Sequence, residues 1–326
     1  TAAEACPDKT VVLMEFAERA SRLAVGSAND ERDRAAKLGN WSIRLAQCGK
    51  GKEALEVLAT VRRIFGELPT SDNTQLNEDI VTLLINEAQL SWSRGEHQQA
   101  VGLATRAVAS AREASTRSLG HMATLAGALD TLGVASALGA ADGGGKAAAE
   151  EAVGLYRELA RDKPAEYQHL LAVALSNLSV SLQTGDPEQA LEAAREACVI
   201  LRDCAAAEPD RFSAARANAL RSVGFRLAAL GRHGEALEAL QQALDIERPL
   251  TAARPNVFAR PLARTLWAFA ASLWHLDRTE EALGHIDDAI ATLEVIAEND
   301  PTAVHMLQKV CGFRAEVERG TRPPTS

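Results

Sequence analysis

Apolar residues recur along most of this chain at i, i+3, i+4 and i+7 in stretches of roughly 18 to 20 residues, and no stretch keeps the strict alternation of a strand. The pattern predicts amphipathic helices from end to end. The breaks between stretches recur too: Gly185-Asp186-Pro187-Glu188-Gln189-Ala190-Leu191, Gly231-Arg232-His233-Gly234-Glu235-Ala236-Leu237 and Asp277-Arg278-Thr279-Glu280-Glu281-Ala282-Leu283 are spaced 46 residues apart. Pro209, Pro255 and Pro301 keep that period, and Pro164 falls 45 residues before Pro209. Extending the register backwards brings Gly95 to Ala100 and Gly49 to Ala54 into phase, with a degenerate copy around Ala140 to Gly145. A period that holds two helices is a helical hairpin, and self-similarity at this length marks an array.

Within the fourth unit the first helix is predicted from about Ala165 to Thr184, and the second opens on Asp186 as cap with Pro187 in its first turn. A proline there forfeits only an N–H that has no helical partner. Pro209 then ends that helix. The sharpest evidence is where small residues fall. Twelve positions before the second helix's first alanine stand Ser42, Ala88, Gly133, Leu178, Gly224 and Ala270. That alanine position itself reads Ala54, Ala100, Gly145, Ala190, Ala236 and Ala282, and seven residues on come Val61, Ala107, Ala152, Ala197, Ala243 and Ala289. Two helices approach this closely only where neither carries a bulky side chain, since a larger residue there costs about 1–3 kcal/mol.

With its small-residue triplet and a glycine before the second helix, the chain resembles the tetratricopeptide repeat (TPR) family from about Glu31 to Gly320. The resemblance implies an all-α fold, a right-handed α-solenoid, or superhelix, of TPR-like hairpins. The period departs from the family's usual 34 residues, and the family's aromatics give way to Leu220, Leu227, Leu266 and Leu273. Longer-period arrays of this Leu/Ala kind resemble those of bacterial and fungal signalling proteins, where they follow an effector or nucleotide-switch module. The expected organisation is one solenoid over residues 1–326. Residues 9–26 are the orphan second helix of a truncated repeat, so the chain is read as starting mid-array; residues 31–300 are six helix-turn-helix units. Residues 302–319 are a capping helix with Glu316 at the small position, and 321–326 a polar tail.

Composition narrows the function classes. A chain of 326 residues with 47% hydrophobic and 24% charged residues can build a core, and with about 4% aromatics that core is Ala, Leu, Val and Ile. A net charge of -9 is the wrong sign for a general nucleic-acid binder. No apolar run reaches the roughly 18 residues of a membrane span, so no membrane partner is expected. The cysteines, Cys6, Cys48, Cys198, Cys204 and Cys311, are odd in number and form no CxxC pair, which fits a reduced, cytoplasmic compartment.

Reactive constellations are sparse. Gly139 to Lys146 is glycine-rich like a phosphate loop, but Ala140 and Ala147 stand where Walker spacing needs Gly and Ser or Thr. The histidines His97, His121, His169, His233, His275, His285 and His305 make no HExxH or HxxxH pair, and no GxSxG surrounds a serine. No cofactor, metal or catalytic residue is predicted. What the resemblance implies instead is a groove lined by first helices, in which a protein or peptide segment binds.

Carried over position by position, the strongest groove candidates are Asn86, Gln89, Asn218, Arg221, Phe225, Arg264, Trp267 and Trp274. Two guanidinium groups beside two indoles, a phenyl ring and an amide suit a peptide carboxylate or an acidic segment. Trp267 and Trp274 have a second reading, packing against the next unit, while Trp41 and Trp92 read as core. The sequence thus predicts a binding scaffold that is not an enzyme, the docking or sensor part of a signalling or defence protein. The alternatives are a homo-oligomerisation module and, last, an enzyme with an unrecognised helical site.

Overall fold

The structure, a computed structural model, describes residues 19–47, 50–67, 74–93, 95–113, 118–138, 144–182, 185–298 and 300–320. Cys6, Cys48, residues 9–18 of the proposed orphan helix, the Gly139–Gly143 stretch and the 321–326 tail lie outside them. Among the described residues every regular element is an α-helix, and residues 19–25 are helical as well. The chain divides into two compact units on either side of residues 185 and 186.

The first unit holds α1 (Glu31–Gln47), α2 (Gly51–Glu67), α3 (Thr74–Ser93), α4 (His97–Glu113), α5 (Leu119–Leu138), α6 (Gly144–Asp162) and α7 (Pro164–Ser181). The pairs α1–α2, α3–α4 and α5–α6 are hairpins, and α1, α3, α5 and α7 adjoin one another in series. The second unit holds α8 (Pro187–Ala207), α9 (Pro209–Ala229), α10 (His233–Ala253), α11 (Pro255–His275), α12 (Thr279–Ala297) and α13 (Pro301–Arg319). Here α9–α10 and α11–α12 are hairpins, with α9, α11 and α13 adjoining in series. In each unit, therefore, the first helices of successive hairpins make one wall.

Local sequence sets the boundaries. Pro164, Pro209, Pro255 and Pro301 stand in the first turn of α7, α9, α11 and α13, and the residues before them are held out of the helical region, as the proline ring requires. Asp186 caps α8 by accepting the Gln189 N–H at 3.0 Å, and Asp300 caps α13 by accepting the Thr302 N–H at 2.9 Å. Between hairpin helices the chain turns through left-handed residues: Gly95 (φ 81°), Gly231 (φ 72°) and, one period after Gly231, Asp277 (φ 62°).

The small-residue positions are the crossing points. Ala54, Ala100, Ala190, Ala236 and Ala282 are all fully buried, as are Ser42, Ala88 and Ala270. A Cβ on Gly145 would stand 2.8 Å from the Gly133 carbonyl oxygen, and one on Gly133 would stand 2.9 Å from the Ala149 Cβ. A Cβ on Gly224 would come within 2.5 Å of Leu240 Cγ. Gly145, the end of the glycine-rich stretch, is thus a packing glycine. Leucines complete the interior, with Leu240, Leu244, Leu266, Leu273 and Leu293 buried across α10, α11 and α12.

Candidate functional site

The first-helix wall of the second unit carries six of the eight predicted residues: Asn218, Arg221 and Phe225 on α9, and Arg264, Trp267 and Trp274 on α11. Asn86 and Gln89 lie on α3 of the first unit. Asn86 is buried, with an amide nitrogen that makes no hydrogen bond, and Gln89 is exposed. Between them Glu87, buried, takes both arms of the Arg62 fork from α2, Nε to Oε1 at 3.0 Å and Nη2 to Oε2 at 2.6 Å.

The two arginines of the second unit are not equivalent. Arg221 is only 8% exposed, and its guanidinium points inward. There Nη1 donates to Glu247 Oε1 of α10 at 2.5 Å, and Nη2 donates to Asn218 Oδ1. Burial drives the Arg221 pKa down and the Glu247 pKa up, and each partner's opposite charge opposes the shift. Arg221 is therefore a committed structural cation. The expectation of two guanidinium groups open to a ligand is corrected here.

Arg264 is the other case. Its side chain is exposed and stacks over the Phe225 ring, 5.8 Å from the centroid. Among the described residues it makes no hydrogen bond and no ion pair. Water reaches it, yet protein atoms crowd the group, and that crowding is the main cause of a pKa drawn down to about 10. Repulsion from Arg221 and Arg260 adds to the fall, and Glu247 offsets it only in part. The guanidinium stays charged at neutral pH. Arg260, one turn earlier, is already engaged: Nε lies 3.1 Å from Asp300 Oδ2, and Nη1 donates to Thr302 Oγ1 at 2.8 Å.

The tryptophans also separate. Trp274 is 3% exposed and meets Phe313 of α13 edge-on, the centroids 5.4 Å apart. It belongs to the core and leaves the predicted groove set, because the face it shares with Trp267 is the one that α13 packs on, most closely at Trp274. Trp267, three residues after Arg264, is half-buried, with its ring tilted against Phe313 at 6.2 Å. The groove residues that remain together are Arg264, Phe225 and Trp267, with Asn218 exposed beside the buried Arg221.

Glu247 was missed, although a signal existed. One period earlier and later stand Leu201 and Leu293, both buried, so a glutamate at that register is a charge set into a leucine stripe. A half-buried acid with an enclosed oxygen lies in the first unit. Asp130 of α5 accepts the Asn177 side-chain N–H of α7 at 2.9 Å on Oδ2, while Oδ1 is enclosed and accepts nothing. Burial pushes this carboxyl up to about 7. Cys198 and Cys204 are half-buried thiols raised by burial. Among the described residues no three His, Cys, Asp or Glu side chains converge as a metal site, and no helix is long and apolar enough to cross a membrane.

No protein-family model and no curated protein sequence matches the chain. Solved structures do. A Rap protein complexed with competence and sporulation factor matches over 95% of this chain and 88% of its own, at 12% identity and TM-score 0.63. NprR in complex with its cognate peptide NprX matches over 99% and 91%, at 13% identity and TM-score 0.60. The TPR-like repeats of a kinesin light chain from Podosopora anserina match over 71% and 100%, at 16% identity and TM-score 0.50. The fold is a TPR-like helical solenoid. In the TPR-like frame the buried alanines and glycines are the hairpin crossings, and Arg264, Phe225 and Trp267 stand on first helices.

Proposed function

We propose that this TPR-like chain is a scaffold that binds a peptide or protein segment on the first-helix wall of its second unit and performs no chemistry of its own. The carrying observation is the unpaired, solvent-facing Arg264 stacked on Phe225, beside the half-buried Trp267. Aromatic and arginine side chains on a rigid support are the usual anchors of recognition. Helices α9 and α11, locked by their buried crossings, present them preformed, which spares the ordering cost of binding. Similarity of fold to NprR, which is in complex with its cognate peptide, supports peptide binding as the use of such a scaffold. The role fits the docking or sensor part of a larger cytoplasmic signalling protein.

The test is selection of a random displayed peptide library on the full chain, followed by hydrogen-exchange mapping with the synthetic peptide. Protection on α9 and α11, lost together with affinity in Phe225→Ser, is the expected result. Protection confined to α8, α10 and α12, or no selected peptide at all, refutes it.

A further inference from the structure

We infer that the segment bound on this wall is anchored by a single carboxylate, an Asp or Glu side chain or a C-terminal carboxyl group, seated on Arg264 next to an apolar or aromatic residue that lies against Phe225 and Trp267. The inference rests on the binding reading above and adds the chemistry of the ligand.

The argument is one of charge and of fit. Three guanidinium groups cluster here, with Arg264 close enough to Arg221 and Arg260 to be repelled by both. Two are answered within the fold, Arg221 by Glu247 and Arg260 by Asp300. Arg264 is not. The cluster therefore carries one uncompensated positive charge at a place where protein crowds out much of the water, so its guanidinium sits well below its ordinary pKa. A monoanion restores neutrality. A phosphate dianion overshoots it, and it would need a second free guanidinium that Glu247 and Asp300 have already taken. With no partner on its donor edge, the Arg264 fork remains available for two parallel N–H···O bonds to a carboxylate, the geometry in which arginine binds most tightly. Phe225 flanks the group, its ring centroid 5.8 Å from Arg264 Cζ, and supplies apolar surface beside the donors. Trp267 shares the α11 face at i+3 and offers apolar surface one turn along.

The stack also separates this guanidinium from a generic surface charge. Most exposed arginines of the second unit are spent on neighbours: Arg232 on Glu235 at 2.6 Å, Arg278 on Glu281 at 2.6 Å and Arg248 on Asp288 at 3.1 Å.

The experiment uses the peptides selected above on the full chain. Each is resynthesised with its acids changed to amides, with a C-terminal amide, and with phosphoserine in place of the critical acid. All are titrated against wild type, R264Q and R264K. Loss of one acid or of the free carboxyl is expected to weaken binding about ten- to hundredfold, and R264Q to weaken it as much without further loss when both changes are combined. R264K recovers part of the affinity but not the orientation. Because Arg264 is exposed, thermal melts of R264Q are expected to match wild type. Peptides that map to α9 and α11 yet bind equally as amides, or equally to R264Q, overturn the carboxylate inference while leaving the binding reading intact. Tighter binding of the phosphoserine peptide overturns it in favour of a dianion. Failure to obtain any peptide on this wall removes both.

Discussion

Arg221 Nη1 meets Glu247 Oε1 at 2.5 Å where the preceding period places Leu175 and Leu201, two buried leucines. The pair is an ionic substitution inside an otherwise apolar repeat. Removing one partner strands the other's charge, whereas removing both restores the neighbouring pattern.

Arg221→Leu alone and Glu247→Leu alone should each cost about 3–5 kcal/mol, and Arg221→Leu with Glu247→Leu should be neutral or stabilising by about 1–4 kcal/mol. Urea unfolding of the four chains gives the coupling directly. Additive losses in the double variant would show that the pair holds the hairpin together rather than standing in for leucines.

Asp130 should make the chain less stable as pH rises toward neutrality. Its carboxyl, pushed up to about 7, still holds a proton in the folded state at pH values where the unfolded chain, with an ordinary value near 3.8, has released it. Between those values the folded state binds the extra proton, so stability falls with rising pH. Asp130→Asn keeps an acceptor for the Asn177 amide and abolishes the titration. It should be more stable than wild type by about 1–4 kcal/mol at pH 8, the gain shrinking to nothing near pH 4. Melting curves across that range test the slope, and a constant difference would refute it.

The glycines divide by what surrounds them. Gly145→Ala drives a methyl group to within 2.8 Å of a backbone carbonyl that cannot step aside, and Gly224→Ala drives one into Leu240. Each should cost about 1–3 kcal/mol. Gly154, in α6, has open space where a methyl group would stand, with no neighbour within 4 Å. Gly154→Ala should therefore stabilise by up to about 1 kcal/mol through helix propensity. Calorimetry on the three variants separates crowding from a general intolerance of change. For Gly224→Ala combined with Leu240→Ala, a loss smaller than the sum of the singles would place the clash between those two residues.

Asp277 occupies the left-handed turn position that Gly231 fills one period earlier. A side chain is strained there, although aspartate tolerates it better than most. Asp277→Gly should raise stability by roughly 0.5 kcal/mol, and Gly231→Ala should lower it by about 1 kcal/mol. A melting temperature that moves the other way in either variant would point to contacts of these turns outweighing their backbone geometry.

Much of this arrangement was legible from spacing. The alanines and glycines of the crossings are visible because a helix that must approach another closely leaves a gap in its side chains at fixed intervals, and the structure buries Ala190, Ala236 and Ala282 completely. Pro164, Pro209, Pro255 and Pro301 announced helix starts because a proline in the first turn gives up only an N–H without a helical partner. Pro249 and Pro261, by contrast, stand inside α10 and α11 and announced nothing. The site was only half legible. Arg221 and Arg264 look alike in sequence, and their fates diverge because Glu247, on another helix, faces one of them. Trp267 and Trp274 share a helical stripe, but Phe313 covers the second almost wholly and the first only partly. Such differences depend on which neighbour arrives across a gap of dozens of residues, and no local pattern encodes that.

Because Pro255 and Pro301 both open a helix after a residue held out of the helical region, the interval from 255 to 300 is a closed module with matching seams. Cutting it out joins Arg254 to Pro301, the same kind of junction that Arg254 makes with Pro255. The unit's first-helix wall can then be shortened, or by duplication lengthened, in whole paragraphs rather than letters. Unequal recombination at such seams would change which side chains the wall presents, and α13, whose Phe313 now meets Trp267 and Trp274, would pack on whichever hairpin precedes it.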